Sequence, residues 1–297
     1  MDKVTEKQNT KSNNLDFLST DNILYLMNDE DESISENVRK NIPIISKLVN
    51  ESVLRIKNGG RIFYVGCGTS GRLGVLDASE CPPTFSVDSS LIQGVIAGGN
   101  RALTKSVENA EDSIEEGKKV ILKNNISSKD VVIGITASGS AKFVHGALST
   151  SKKKNALTAL ITFNEVKKNK YVDYVISTIV GPEIISGSTR LKAGTATKMI
   201  LNMISTATMI KLNKVYKNLM IDLKISNDKL QNRAVNIISK LTLENMSKSE
   251  ILLSQSKGNL KSAILMYKLK ITYSESLKLI KQYNGNIGAI LHNNLKC

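Results

Sequence analysis

From residue 61 onward the chain alternates short apolar runs with longer amphipathic stretches. Arg61-Ile62-Phe63-Tyr64-Val65 stops at a glycine, and similar runs recur at residues 92–96, 131–135, 157–163 and 174–179. Runs this short, bounded by turn residues and rich in β-branched side chains, read as buried strands. Helical patterns lie between several of them, at residues 101–122 and 141–154. Strands alternating with helices predict an α/β protein, with a parallel sheet covered on both faces. Residues 1–55 read as a polar, helical N-terminal segment with an amphipathic stretch at 38–56, and a long helical pattern spans 187–212. Residues 56–226 then form the sheet domain, and residues 227–297 a small helical C-terminal module without strands. Within that module Ser249-Glu250-Ile251-Leu252 leads to Gly258-Asn259-Leu260, and Ser274-Glu275-Ser276-Leu277 leads to Gly285-Asn286-Ile287. This is a weak internal repeat of one helical unit.

Composition narrows the classes. The chain has 297 residues, 41% hydrophobic and 23% charged, enough for a large core. No stretch has the apolar length of a membrane helix, and the polar N-terminus lacks a signal core, so a cytoplasmic location is expected. Cys67, Cys81 and Cys297 are read as reduced thiols. With only two histidines, His145 and His292, the donor inventory argues against a zinc-type metal site. The net charge of +14 raises the question of nucleic acid, but lysines are scattered and aromatics are only 4%, leaving little for bases to stack on. A positive field would instead collect small anions.

Gly66-Cys67-Gly68-Thr69-Ser70-Gly71 follows the first strand and matches GxGxxG. A dinucleotide site also needs an acid at the end of the next strand to hold the ribose. That strand ends Val95-Ile96-Ala97-Gly98-Gly99, without one. What the loop offers is the hydroxyls of Thr69 and Ser70 and the free amides of a helix start, a setting for phosphate. Thr136-Ala137-Ser138-Gly139-Ser140 repeats the arrangement after another strand, and Gly187-Ser188-Thr189-Arg190 opens the long helix. Each loop alone is equally an ordinary helix cap. Three of them near strand ends favour an anion site.

Two groups of acids stand out. Glu80 precedes Cys81-Pro82-Pro83. A residue before proline is pushed out of the helical region, so Glu80 is expected at a helix C-terminus, where the dipole favours a protonated carboxyl suited to a general acid. Glu108, Glu111, Asp112 and Glu115 are spaced to share one helix face, either a solvated acidic face or a source of catalytic carboxylates.

Several of these segments together resemble the N-acetylmuramic acid 6-phosphate etherase family of the sugar isomerase (SIS) superfamily. They are the run from Gly59 through Gly66-Cys67-Gly68-Thr69-Ser70-Gly71-Arg72-Leu73-Gly74 and Asp77-Ala78-Ser79-Glu80-Cys81-Pro82-Pro83-Thr84-Phe85, then Ile96-Ala97-Gly98-Gly99, Val107-Glu108-Asn109-Ala110-Glu111-Asp112, Gly181-Pro182-Glu183 and Gly187-Ser188-Thr189-Arg190-Leu191-Lys192-Ala193-Gly194-Thr195. Thr5-Glu6 and Leu15-Asp16 also fit, so the likeness covers nearly the whole chain.

The resemblance implies a three-layer α/β/α sandwich, a homodimer, and no metal or organic cofactor. It implies Glu80 and Glu111 as the catalytic pair, and a sugar phosphate held by Thr69, Ser70, Ser138, Ser140, Ser188 and Lys192. The expected reaction cleaves the lactyl ether, with Glu80 as acid and Glu111 as base or as activator of the water. The chain departs from the family's usual Arg-Thr-Pro-Tyr at Ser140-Ala141-Lys142-Phe143, losing a threonine hydroxyl that Ser140 or the Lys142 ammonium would have to replace. Thr197 stands where the family usually has glutamine. The alternative is a non-catalytic sugar-phosphate sensor of the glucokinase-regulator type. An aldose–ketose isomerase does not share the Asp77–Phe85 segment, and a regulator with a DNA-binding domain would need more chain before the sheet than about 55 residues give.

Overall fold

The computed structural model describes residues 3–294 except 168, 224 and 226; Cys297 lies outside the described residues. Three single-turn 3-10 helices between residues 4 and 17 precede α1 (Thr20–Glu32), α2 (Ile34–Arg39) and α3 (Ile42–Lys57). Ile45, Leu48, Val49, Ser52 and Val53 of α3 are buried, the stripe that a 3.6-residue period predicts.

The sheet follows as β1 (Ile62–Gly66), α4 (Gly68–Phe85), β2 (Ile92–Ile96), α5 (Arg101–Thr104), α6 (Ile114–Lys123), β3 (Val131–Ile135), α7 (Lys142–Lys153), β4 (Leu157–Thr162), β5 (Tyr174–Ser177) and α8 (Lys192–Lys211). Its strand order is β2-β1-β3-β4-β5, parallel throughout. Ile62 pairs with both Ile92 and Val131, and Val131 with Leu157, so the central strands end level. Every residue of β1, β3 and β4 is buried, because helices cover both faces of a parallel sheet. On one face Phe63, Val65, Val132 and Leu160 pack with Ile121 of α6 and Val144 and Leu148 of α7.

The chain divides into two compact units. One gathers the chain through Cys81 together with Asp88–Thr208; the other holds Pro82–Val87 and the chain from Met209 on. The N-terminal segment thus belongs with the sheet, and the second unit begins inside α8, not near residue 227.

The second unit contains a short hairpin, β6 (Val215–Tyr216) with β7 (Leu219–Met220), which the apolar pattern does not announce. After it come α9 (Asp228–Thr242), α10 (Met246–Gln255), α11 (Leu260–Leu269), α12 (Tyr273–Gln282) and α13 (Ile287–Asn294). Both halves of the sequence repeat close in the same way. Gly258 at φ +77° donates to Leu253 O, and Gly285 at φ +78° donates to Ile280 O. Asn259 and Asn286 then accept from amides three residues on, Ser262 N and Ala289 N, and so start the next helix. Among the described residues no helix is long and apolar enough to cross a membrane.

Two expectations fail locally. The helical pattern at 101–122 is three pieces, α5, a single 3-10 turn at Ala110–Asp112, and α6. Asn109 takes a left-handed backbone at φ +59°, and Ser113 caps α6 by accepting from Glu116 N. Glu108, Glu111, Asp112 and Glu115 therefore do not share a helix face. Nor does α4 end at Cys81: it continues through Pro82 and Pro83 to Phe85. The two prolines cost two backbone donors but hold φ in the helical range. Glu80 is therefore not in the helix's last turn, where the dipole would act on it.

Candidate active site

In a sheet of order 2-1-3-4-5 the chain reverses direction of winding between β1 and β3, and the crevice at their carboxyl ends is where such folds bind ligands. Both hydroxyl-bearing loops are there. The first is a tight strand-to-helix turn. A Cβ on Gly66 would lie 2.7 Å from Gly71 N, and one on Gly71 would lie 2.7 Å from Gly66 O and 2.6 Å from Ile96 Cγ1. The glycines thus let α4 begin directly on β1, and its first turn carries the half-buried Thr69 and Ser70.

The second loop follows β3. Thr136 Oγ1, Ser138 Oγ and Ser140 Oγ form a row, with separations of 3.4 Å and 2.9 Å. Its backbone is held from outside: Asn164 Nδ2 and Thr162 Oγ1 donate to Ala137 O, and His145 Nε2 lies 2.8 Å from Gly139 O. Tyr171 in turn hydrogen-bonds His145 Nδ1 at 3.1 Å. Ser138 and Ser140 thus flank the start of α7, whose first amides have no partner inside the helix. Lys142 does not point its charge at this row; its ammonium pairs with Asp112 at 3.4 Å.

The start of α8 adjoins the first loop, since Thr69 Cγ2 lies 3.7 Å from where a Gly194 Cβ would be. Ser188 is half-buried in the turn before α8. Here the structure adds a residue with no marked role in the sequence. The carboxylate of Glu183 accepts from the backbone amides of Lys192 at 2.9 Å and Ala193 at 3.0 Å. It caps the helix from nine residues away, and burial holds its pKa above the ordinary carboxylate value despite those two donors. The Lys192 ammonium is only 4% exposed as a residue and is bound to Glu30 of α1. Glu30 also accepts from Asn9 and Lys11; burial works against its charge, but the hydrogen bonds from Lys11 and Lys192 outweigh it and hold the carboxyl at about 2. Lys192 is thus a structural cation rather than a free one. Thr197 is buried and donates to Ala193 O within α8.

Glu111 stands on the rim of a cavity of about 220 Å³, lined also by Cys67, Gly68, Arg72 and Asn109. Arg72 pins the far wall by donating to Leu103 O and Lys105 O. Burial, then the charges of Glu111 and Asp112, push the Cys67 thiol up to about 12, so it stays protonated and packs. Cys81 is likewise pushed up to about 12, by burial first and by Asp77.

Glu80 is exposed on α4 and does not line that cavity. It lies eight residues beyond Arg72, about 12 Å further along the helix axis. Its helix is fixed from beneath by buried Asp77, whose Oδ1 accepts from Asn202 Nδ2 at 2.6 Å and Ser205 Oγ at 3.1 Å on α8. Within one chain, then, the Thr69–Ser70 and Ser138–Ser140 loops and Glu111 gather around the switch point, and Glu80 lies further out along α4.

A doubly wound parallel sheet with two hydroxyl-lined loops at its switch point is the arrangement in which open α/β folds hold small anions. Known proteins agree. Residues 44–152 match the glucokinase regulatory protein N-terminal SIS domain, and residues 217–280 match the C-terminal lid domain of glucokinase regulatory protein. Three curated relatives, each called N-acetylmuramic acid 6-phosphate etherase, match almost end to end. The one from Clostridium acetobutylicum is 49% identical, over 96% of this chain and 94% of its own. That from Caldanaerobacter subterraneus subsp. tengcongensis is 46% identical over 96% and 93%, and that from Trichodesmium erythraeum 45% over 98% and 95%. The chain belongs to the N-acetylmuramic acid 6-phosphate etherase family.

Proposed function

We propose that the protein is a carbon–oxygen lyase that cleaves the D-lactyl ether of N-acetylmuramic acid 6-phosphate, giving N-acetylglucosamine 6-phosphate and D-lactate. The observation that carries this is the 49% identity over 96% of the chain to a relative bearing that activity's name.

The groups around the crevice suit the chemistry. In the open-chain sugar, carbon 1 is an aldehyde and the ether oxygen is on carbon 3, β to it. A base takes the proton from carbon 2, an acid protonates the departing lactate oxygen, and water adds to the unsaturated aldehyde. We assign the base to Glu111, beside the Gly68 turn, and the acid to Glu80. Each such transfer contributes about a hundred- to ten-thousand-fold. Thr69, Ser70, Ser138, Ser140 and Ser188 hold the phosphate and so orient the reacting carbons. Lys192 serves that site indirectly, by fixing the start of α8. Glu80 lies about 12 Å along α4 from Arg72 on the cavity wall, so its meeting with Glu111 calls for a second copy of the chain. Leu76, one turn before Glu80 and 52% exposed, is an apolar side chain on α4 that such a homodimer would cover.

A second function, binding of a sugar phosphate without turnover as in a glucokinase-type regulator, is not favoured, since relatives matching almost end to end carry the etherase name. Incubation with N-acetylmuramic acid 6-phosphate decides between them. The lyase releases D-lactate in step with N-acetylglucosamine 6-phosphate; binding without either product would overturn it in favour of the sensor.

A further inference from the structure

The phosphate loop after β3 lacks a cation of its own. Lys142, next to it in sequence, is held by Asp112, and Lys192 is buried on Glu30. An ammonium nevertheless reaches the loop from elsewhere. Lys3 Nζ donates to Ser140 Oγ at 2.8 Å, and Ser140 Oγ is 2.9 Å from Ser138 Oγ. Among the described residues Lys3 forms no ion pair, so its charge is not balanced by a carboxylate there.

Lys3 is not a loose terminal residue in this arrangement. Two positions on, Thr5 is 1% exposed and tied to the carboxyl ends of the sheet. Its amide donates to Asn164 Oδ1 at 3.2 Å, its hydroxyl accepts from Asn164 Nδ2 at 2.9 Å, and its carbonyl accepts from Gly187 N at 3.2 Å. The same Asn164 holds Ala137 O of the phosphate loop. A few residues later Ser186 Oγ donates to Lys7 O, and Asn9 joins Glu30 and Pro182 O. The N-terminal segment is thus a strap fastened to the loop after β3 and to the turn before α8, and Lys3 is its free cation on the hydroxyl row.

We propose that Lys3 is a substrate-binding residue: its ammonium, presented by this strap, ion-pairs with the phosphate of the sugar at Ser138 and Ser140. Bound phosphate takes the place of the neutral hydroxyl of Ser140 as the partner of the ammonium, and its oxygens meet one charge, two hydroxyls and the first amides of α7 together. This rests on the sugar-phosphate site assigned above. The strap contributes affinity and not proton transfer, because the phosphate is remote from carbons 2 and 3.

Lys3→Met and Lys3→Arg test it, with lactate release followed against substrate concentration and inorganic phosphate used as a competing probe. Losing one charge-assisted contact to phosphate is expected to raise KM, and the phosphate inhibition constant with it, about tenfold in Lys3→Met. There kcat stays within about twofold, and Lys3→Arg stays within about threefold of the parent in both constants. Unchanged constants in Lys3→Met would overturn the proposal, as would a fall in kcat alone. If the unsubstituted protein released no lactate, the etherase assignment would fail instead. Calorimetric binding of inorganic phosphate would then still judge Lys3, weaker binding by Lys3→Met supporting its role and equal binding refuting it.

Discussion

Glu30 and Glu183 show how the start of α8 is fixed by two buried carboxyl groups whose pKa values are shifted in opposite directions. Glu30 is held at about 2, against an ordinary 4.5, by Lys11 and Lys192. Its unfolded form binds the proton more readily, so Glu30 adds stability above about pH 4.5 that is lost as pH falls toward 2. Denaturant unfolding measured across that window should show a shallower acid-side loss in Glu30→Gln than in the parent. Glu183 has the other sign: burial raises its pKa, so its contribution falls as pH rises past the ordinary carboxylate value. Lys192→Met would leave Glu30 facing Lys11 and Asn9 alone, at a cost on the order of 3 kcal/mol in urea unfolding. An equal cost would not arise if Lys192 were a free, solvent-facing phosphate ligand. The family resemblance offers Lys192 as such a ligand; its partner is 162 residues away and no spacing announces it. The same holds for Glu183, whose two amide donors lie nine and ten residues on.

At the level of elements, what local rules govern was legible and what tertiary contacts govern was not. The five strand runs, α7 and α8 follow from apolar pattern, and the Gly–Asn pairs at 258–259 and 285–286 do mark paired helix ends, because a left-handed glycine and an asparagine cap are local devices. The stretch 101–122 misled because its period is helical on both sides of Asn109, and a single left-handed residue suffices to break it. That break turns Glu111 toward the Gly68 turn instead of along a helix face. The prolines after Cys81 misled in the other direction, since α4 accepts two missing donors and runs on. The glycine turn that starts α4 is the most constrained of these elements. Gly71→Ala would force its Cβ against Gly66 O and Ile96 Cγ1, and thermal unfolding should register a loss of about 1–3 kcal/mol. A fully stable Gly71→Ala would mean that α4 can be lifted off β1 at no cost.

At the scale of the whole molecule, one chain carries the hydroxyl-lined loops and Glu111 in one crevice and Glu80 some way along α4, whereas the proposed reaction needs both carboxyl groups at one sugar. In the homodimer proposed above, a two-fold pair of chains would make two identical sites, each drawing Glu80 from one copy and Glu111 from the other. Glu80→Gln and Glu111→Gln homodimers should each lose at least a hundredfold in lactate release. The direct measurement is made on mixed dimers, with the two variants coexpressed under different tags and purified through both. One of their two sites is then intact and the other carries both substitutions, so lactate release should return to about half the unsubstituted rate per dimer. Mixed dimers no more active than either variant alone would contradict the account.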